Sequence, residues 1–271
     1  MPEKFLDELL IWRELAHNFC FHQQRPEILD GLPKWARETL RNHQEDTRDS
    51  VYSWEPLFWG LTGDPLWDAA QKSLLVHGEL HNNVRMTWGK TFLNWSQDPQ
   101  EALDLMIDWN HPLALDGNKA NSYGGLLWCL GLFDRPFKPE RPGIGVLRPR
   151  YTIDHAKRLD MPTYINKVNG PVTGEPLKIA VVSAGVSGLF AARTLIDHGH
   201  QVQVFERNGV PDGRTATITG PSLAFDTGFQ YFKVRDDLFS RYVRSSETDG
   251  IGERWEGKVV IAKAGHLADE K

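Results

Sequence analysis

The chain has 271 residues, a formal net charge of −5 and 40% hydrophobic residues, which predict a soluble globular protein of one large or two smaller domains. The acidic balance argues against bulk affinity for nucleic acid, although it leaves room for a local basic groove. Only Cys20 and Cys129 are present, so we expect a reducing compartment and no disulfide framework. No apolar run could span a bilayer and the charged N-terminus lacks a signal-peptide core, which together predict a cytoplasmic protein without membrane contact.

The first part of the chain has the periodicity of a helical domain. Nine of the ten tryptophans lie between Trp12 and Trp128, and apolar residues recur there at helical spacing. Six helices are predicted: 5–16, 32–43, 65–78, 81–95, 99–109 and 122–132. The change in amino-acid composition near residue 134 predicts three parts: a helical domain over 1–133, a Pro- and Gly-rich tail and linker over 134–176, and a second domain over 177–271.

The second domain begins with a pattern typical of a dinucleotide-binding β-α-β unit. Strands are predicted at 179–182 and 202–205, with a helix at 187–198 between them, and further short strands at 223–225 and 258–262. The chain stops without a second β-α-β half. The predicted fold class is therefore multi-domain: an all-α helical domain followed by a partial α/β Rossmann-like unit.

The glycine positions of this unit predict contact with a pyrophosphate. In the G-x-G-x-x-G pattern the three positions are Ser183, Gly185 and Gly188, so the glycines for phosphate approach and helix packing are kept while the turn glycine is lost. Glu206 ends the second strand, where an acid accepts a hydrogen bond from a ribose hydroxyl. The alternative is a Rossmann-like half that binds no ligand.

The segment after Glu206 resembles the N-terminus of flavin amine-oxidase-like proteins of the renalase type. The resemblance covers about residues 177–245 and rests on Glu206-Arg207-Asn208-Gly209-Val210-Pro211-Asp212-Gly213-Arg214 and on Phe225-Asp226-Thr227-Gly228-Phe229-Gln230-Tyr231-Phe232. It implies that Gly213 and Arg214 frame an FAD, or that NAD(P) binds there. Asp212 departs from the family, whose turn has glycine at that position. The family's substrate domain has no counterpart in this chain.

Three tryptophans are candidate redox residues. Trp88 and Trp95 are seven residues apart, hence on one helical face and about 10 Å apart along the axis, a spacing that suits electron hopping; Trp67 is the third. Arg85 lies one turn before Trp88 and could pair with Asp116 beside a cofactor. The alternative is that these tryptophans only fill a core.

The first part also resembles the C-terminal helical domain of class II cyclobutane-pyrimidine-dimer DNA photolyases, over about residues 3–166. The matching segments are 5–20, Gly31-Leu32-Pro33-Lys34-Trp35-Ala36, Asp64-Pro65-Leu66-Trp67-Asp68-Ala69-Ala70-Gln71, Arg85-Met86-Thr87-Trp88-Gly89-Lys90 and Leu115-Asp116-Gly117. The resemblance implies light-driven electron donation from reduced FAD to a pyrimidine dimer flipped out of damaged DNA.

The same resemblance assigns residue roles. Trp67, Trp88 and Trp95 match electron-transfer tryptophans, Arg85 and Asp116 a flavin-flanking ion pair, Asn110 the asparagine facing the flavin N5, and Glu8, Trp12, Met86 and Trp128 the dimer pocket. Departures include Thr87, Gly89 and Phe133. The family's antenna domain and its first flavin-binding helices have no counterpart in this chain, so the flavin site is expected to be incomplete.

Three functions remain open at this point: a photolyase-derived repair flavoprotein, probed by Trp12→Ala; a flavin- or NAD(P)-dependent oxidoreductase, probed by Gly185→Val; and an inactive fusion remnant. Two further features of the sequence are less specific. His77 and His81 lie four residues apart, but a third metal ligand is missing and no metal is expected. A basic cluster of Arg148, Arg150, Lys157 and Arg158 is either a phosphate-binding surface or an ordinary solvated one.

Overall fold

The computed structural model describes residues 2–48, 50–172, 174–211, 213–221, 223–226, 228, 231–255, 260–263 and 266–269. The helices are α1 (Pro2–Leu6), α2 (Arg13–His22), α3 (Lys34–Asn42), α4 (Trp54–Trp59), α5 (Pro65–His77), α6 (Asn82–Trp95), α7 (Pro99–Leu113), α8 (Ala120–Cys129), α9 (Thr152–Ala156), α10 (Met161–Asn169), α11 (Val186–Asp197) and α12 (Asp237–Thr248). The strands are β1 (Lys178–Val182), β2 (Gln201–Phe205), β3 (Thr217–Thr219), β4 (Ala224–Asp226), β5 (Val260–Lys263) and β6 (His266–Asp269).

The hydrophobic core lies in the helical region, where α5, α6, α7 and α8 pack together. Its largest fully buried side chains include Trp67, Trp88, Trp109 and Phe92. Removing one such side chain from water stabilises the fold by about 1.5–3 kcal/mol. The helical region is therefore held by burial of large aromatic and aliphatic side chains.

Capping residues fix the starts of the central helices. The Asp64 carboxylate accepts hydrogen bonds from the Leu66 and Trp67 amides at 3.1 and 3.0 Å, and Pro65 occupies the first turn of α5. Asp98 caps α7 in the same way. Gly78 ends α5 at φ 65°, a left-handed conformation that glycine adopts without strain. The helix starts predicted at Asp-Pro are confirmed.

The Pro- and Gly-rich stretch over 134–176 contains α9 and α10, which were not predicted. Leu147 and Val168 are buried, and α10 contacts α5, so this stretch lies on the helical core. A start signal for α10 was present, since Asp160 caps this helix and a proline lies in its first turn, but the high proline and glycine content of the stretch favoured a linker.

The predicted β-α-β unit is present. Strands β1 and β2 are parallel, from Lys178 opposite Gln201 to Val182 opposite Phe205, and α11 connects them. They form a two-stranded sheet in the described part of the chain. β3 and β4 are antiparallel; β4 overlaps the predicted strand at 223–225, and the predicted strand at 258–262 lies partly outside the described residues.

Two helices that were not predicted, α4 and α12, join the two regions. The Tyr242 ring of α12 lies against the Trp54 ring of α4 with centroids 4.6 Å apart. The Glu55 amide donates to Ser245 Oγ at 3.0 Å, and Arg241 of α12 pairs with Asp108 of α7. The β-α-β region is thus attached to the helical core through α12.

Candidate functional site

A cavity of about 340 Å³ lies between the N-terminal helices and α6 and α8. Its lining includes Phe5, Glu8, Leu9, Trp12, Arg13, Ala16, Leu80, Asn82, Arg85, Asp116, Asn121, Gly124, Gly125, Trp128 and Phe133. Five predicted site residues therefore share one cavity: Glu8, Trp12, Arg85, Asp116 and Trp128. The cavity combines an apolar aromatic wall with a charged one.

Arg85 and Asp116 form a bidentate ion pair on this wall. The two guanidinium nitrogens of Arg85 donate to the two carboxylate oxygens of Asp116 at 2.8 and 2.6 Å. The side chain of Arg85 is 12% exposed and that of Asp116 48%. Hydrogen bonding from Arg85 lowers the pKa of Asp116 below its ordinary value of 3.8, so the carboxylate is charged at neutral pH.

Trp12 and Trp128 form the aromatic wall. Their ring centroids are 4.3 Å apart with 29° between the planes, so the rings contact each other directly. Trp12 lies at the end of a π-helical segment, Asp7–Trp12, which also carries Glu8. Single π turns inside a helix are frequent at functional sites, because the extra residue re-aims the side chains that follow.

Gly124 of α8 allows the close approach of α2 that brings the two tryptophans together. A Cβ atom at Gly124 would lie 2.7 Å from the Ala16 Cβ atom, which is too close for two carbons. The sequence did not predict four residues of this site: Ala16, Gly124, Asn82 and Asn121. The signal available in the sequence was the Gly124-Gly125 pair inside a helix, where glycine is otherwise unfavourable.

The three candidate redox tryptophans form a series of ring contacts. Trp67 lies between the other two, with its ring centroid 6.5 Å from that of Trp88 and 5.0 Å from that of Trp95. The Trp67 indole N–H donates to the Trp88 carbonyl at 3.1 Å, and the Trp88 indole N–H donates to Gln71 at 2.9 Å. Trp67 and Trp88 are buried while Trp95 is half-buried. The order of contact is therefore Trp88, Trp67, Trp95.

Asn110 and Met86 are buried and do not line the cavity. The Asn110 amide donates to Ser122 Oγ at 2.5 Å, and its Oδ1 has no hydrogen-bond partner among the described residues. Met86 contacts Cys129, whose Sγ lies 4.0 Å from the Met86 sulfur. The sequence placed Met86 in the dimer pocket; in the structure Met86 is buried against Cys129 and is not among the residues that line the cavity.

The loop after β1 has the geometry of a dinucleotide-binding turn. Ser183 occupies the first glycine position at φ 131°, a conformation that is strained for any residue with a Cβ atom. A Cβ atom at Gly188 would lie 2.1 Å from the Ser183 carbonyl oxygen, so only glycine fits there. At Gly185 the nearest atom would be 3.5 Å away, an ordinary contact.

Glu206 binds backbone amides of this loop. Its carboxylate accepts from the Ala184 N–H at 2.7 Å and from the Asn208 N–H at 3.0 Å. Those hydrogen bonds lower the pKa of Glu206 below its ordinary value of 4.5. An open cavity of about 960 Å³ lies in front of the loop, lined by Gly185, Gly213, Arg214 and their neighbours. Asp212 lies outside the described residues.

The weaker candidates have structural partners. His77 Nε2 lies 3.1 Å from the Val168 carbonyl oxygen, and His81 caps α6. In the described part of the chain no group of three His, Cys, Asp or Glu side chains could hold a metal ion. In the basic cluster, Arg148 pairs with Asp134, and Lys157 with Asp154. Arg150 donates to Thr87 Oγ1 at 2.8 Å.

Comparison with known proteins finds relatives of two kinds. The chain is 37% identical to the deoxyribodipyrimidine photo-lyase of Arabidopsis thaliana over 172 residues, covering 63% of this chain and 34% of that one. It is 39% identical to the rice enzyme of the same name (Oryza sativa subsp. japonica) over 167 residues, covering 61% and 33%. The chain thus spans about a third of the length of these photolyases.

A family model described as an NAD(P)-binding Rossmann-like domain matches residues 181–245. The chain is also 36% identical over 93 residues to a 4,4'-diapophytoene desaturase of Staphylococcus haemolyticus, covering 34% of this chain and 17% of that one. The predicted combination of a photolyase-like segment with a Rossmann-like segment is confirmed. Among the described residues, none of the helices has both the length and the apolarity to cross a membrane.

Proposed function

We propose that the helical region is a flavin-dependent module for light-driven repair of pyrimidine dimers in DNA. The main observation behind this proposal is that the Arg85–Asp116 ion pair and the Trp12–Trp128 stack line the same cavity. A charged pair suits a polar cofactor edge, and an indole wall suits a flat, unstacked base. The similarity to named photolyases supports the same function.

The residues present fit a flavin. Arg85 Nε and Asn110 Oδ1 are buried polar atoms without a partner among the described residues, and such atoms normally find one. A flavin ring system has acceptors for the first and an N–H donor for the second. Arg85 and Asp116, which line the cavity, would therefore hold it, with Asn110 outside the cavity lining as the third candidate. Bound reduced FAD would supply the electron that light drives into the dimer.

The three tryptophans would deliver electrons to this site. Trp88 shares α6 with Arg85, and the contact order runs outward through Trp67 to the half-buried Trp95. Both centroid separations are short enough for direct ring-to-ring transfer. Trp67 is the middle member, so its loss would interrupt the series while leaving the cavity lining intact.

Glu8, Trp12 and Trp128 would bind the dimer. Since the two indoles already contact each other, a dimer would lie against the pair rather than between its members. The Glu8 carboxylate lies on the same wall and could accept hydrogen bonds from pyrimidine N–H groups. Arg148, Arg150, Lys157 and Arg158 are candidates for the phosphates flanking the lesion.

The β-α-β region supports a second binding function, that of a dinucleotide. Gly188 lets the loop pass close to α11, and Gly185, Gly213 and Arg214 border the open cavity. Glu206 uses two of its acceptor sites on backbone amides, which leaves lone pairs for a ribose hydroxyl. We therefore propose an NAD(P) or FAD site here, in keeping with the matched family.

The first experiment measures flavin bound per chain and then light-dependent repair of an oligonucleotide containing a pyrimidine dimer. We expect one flavin in the helical region and repair that Trp12→Ala reduces at least tenfold, about 1.4 kcal/mol of lost binding. Trp255→Ala, at an exposed tryptophan outside the helical region, is the matched control and should repair normally. Repair unaffected by Trp12→Ala would refute the assigned pocket, and no flavin uptake would favour the remnant interpretation.

A further inference from the structure

A third cavity, distinct from the two described above, lies where α11 and α12 meet α4. Its volume is about 550 Å³, within the range of small-molecule sites. Nine side chains line it. Four of them are aromatic (Phe190, Phe232, Phe239 and Tyr242) and two are acidic (Glu55 and Asp236), a combination that suits a particular class of ligand.

The aromatic rings of this cavity are only partly covered by protein. Phe190 is 54% exposed, Phe232 53% and Phe239 42%. The Phe232 and Phe239 ring centroids are 5.4 Å apart, and the Phe190 ring meets Tyr242 edge-on at 6.4 Å. The exposed faces of such rings carry the negative part of the ring quadrupole and attract cations.

The two carboxylates place negative charge at this cavity, and Asp236 also caps α12 by accepting a hydrogen bond from the Phe239 amide at 2.8 Å. Neither Glu55 nor Asp236 forms an ion pair with another residue that the structure describes. Two arginines of α11 and α12 are engaged in other ion pairs, Arg193 with Asp197 at 2.7 Å and Arg241 with Asp108. This charge would repel an anionic ligand and attract a cationic one.

Tyr242 keeps its proton in this setting. Burial and the neighbouring Glu55 carboxylate raise the pKa of Tyr242 to about 12. Its ring is held by edge contacts with Trp54 and Phe58 of α4, at 4.6 and 6.2 Å between centroids. This wall of the cavity is therefore uncharged and anchored to the helical core.

We propose that this cavity binds a hydrophobic organic cation, an ammonium group carried on an aromatic or alkyl body. The apolar body would lie on Phe190 and Phe239, and the cation would face Glu55 and Asp236. Val186 also lines the open cavity at the start of α11, so the ligand would lie next to the proposed dinucleotide site. The proposal does not depend on flavin binding or on repair.

The test is equilibrium dialysis of the full chain against benzyltrimethylammonium and against its uncharged isostere, neopentylbenzene. We expect saturable binding of one cation per chain and at least about fivefold weaker binding of the neutral compound, as cation–π and charge attraction are lost. Far-UV circular dichroism of each variant confirms that it is folded.

Three variants locate the site. Glu55→Gln and Asp236→Asn remove charge with little change of shape, and asparagine can still cap α12. Phe190→Ala removes an exposed wall of the cavity. Each should weaken cation binding about threefold to tenfold, whereas Glu45→Gln, an exposed acid elsewhere, should have no effect. Absent binding, equal binding of neopentylbenzene, or affinity unchanged by both Glu55→Gln and Phe190→Ala would overturn the proposal.

Discussion

The helical region and the β-α-β region differ in how they use their apolar side chains. Trp67 and Leu74 in the helical region are completely buried, whereas Val182 and Phe205 at the ends of β1 and β2 are 83% and 48% exposed. Among described residues from 178 onward, Ala184 and Ala192 are the buried apolar ones. The β-α-β geometry is thus formed with little core of its own, because strand pairing and loop hydrogen bonds can define it locally.

This contrast bears on the two proposed sites. The cavity with Arg85 and Asp116 lies between helices that share one hydrophobic core, and packing against that core fixes the positions of its side chains. The dinucleotide loop is held mainly by backbone contacts and by the attachment of α12 to α4. Local opening should therefore be easier in the β-α-β region than in the helical region.

The largest expected effect compares Trp67→Ala with Phe205→Ala. Trp67 is fully buried and its indole N–H is hydrogen bonded, so its truncation should reduce the free energy of unfolding by about 3–5 kcal/mol. Phe205 is half-exposed, and its truncation should cost less than about 1 kcal/mol. Urea denaturation followed by far-UV circular dichroism measures both. Similar losses would show that the two regions share one core.

An intermediate effect is expected at Ser183. Its φ of 131° costs about 1–3 kcal/mol for a residue with a Cβ atom. Ser183→Gly would relieve this strain but would lose the hydrogen bond from the Gly185 N–H to Ser183 Oγ. The net result should be a stabilisation of the β-α-β region by about 1 kcal/mol. Hydrogen exchange of the α11 amides should slow accordingly. Gly188→Ala is the opposing control, since its Cβ atom would collide with the Ser183 carbonyl. Faster exchange in Ser183→Gly would contradict the assigned strain.

The smallest effect concerns the pH dependence of the helical region. Arg85 lowers the folded-state pKa of Asp116. The stabilisation from this ion pair is therefore present above the unfolded-state pKa near 3.8, and it is lost as the pH falls through the lower folded-state pKa. Asp116→Asn should flatten that part of the stability profile below pH 4. Because the carboxylate is about half exposed, the change should be small. Thermal unfolding between pH 2.5 and 6, roughly the range that brackets this titration, measures it; an unchanged profile would exclude the linkage.

Much of the local structure was predictable. The Asp64-Pro65 and Asp98-Pro99 caps located α5 and α7, and the glycine spacing with Glu206 located the β-α-β unit. Helices α9 and α10 were hidden by proline and glycine, and α4 and α12 were missed because each is stabilised by contact with the other. Their aromatic contact joins residues about 190 positions apart, which no local pattern reveals.

The sequence by itself determined the two regions, their helical and β-α-β character, and the residue types of the candidate sites, because capping, periodicity and glycine requirements act over a few residues. Only the tertiary structure decided that Trp67 stands between Trp88 and Trp95, that Trp12 stacks on Trp128, and that α12 forms a cavity against α4. Those arrangements depend on which buried faces pack together, and close packing is a property of the whole chain.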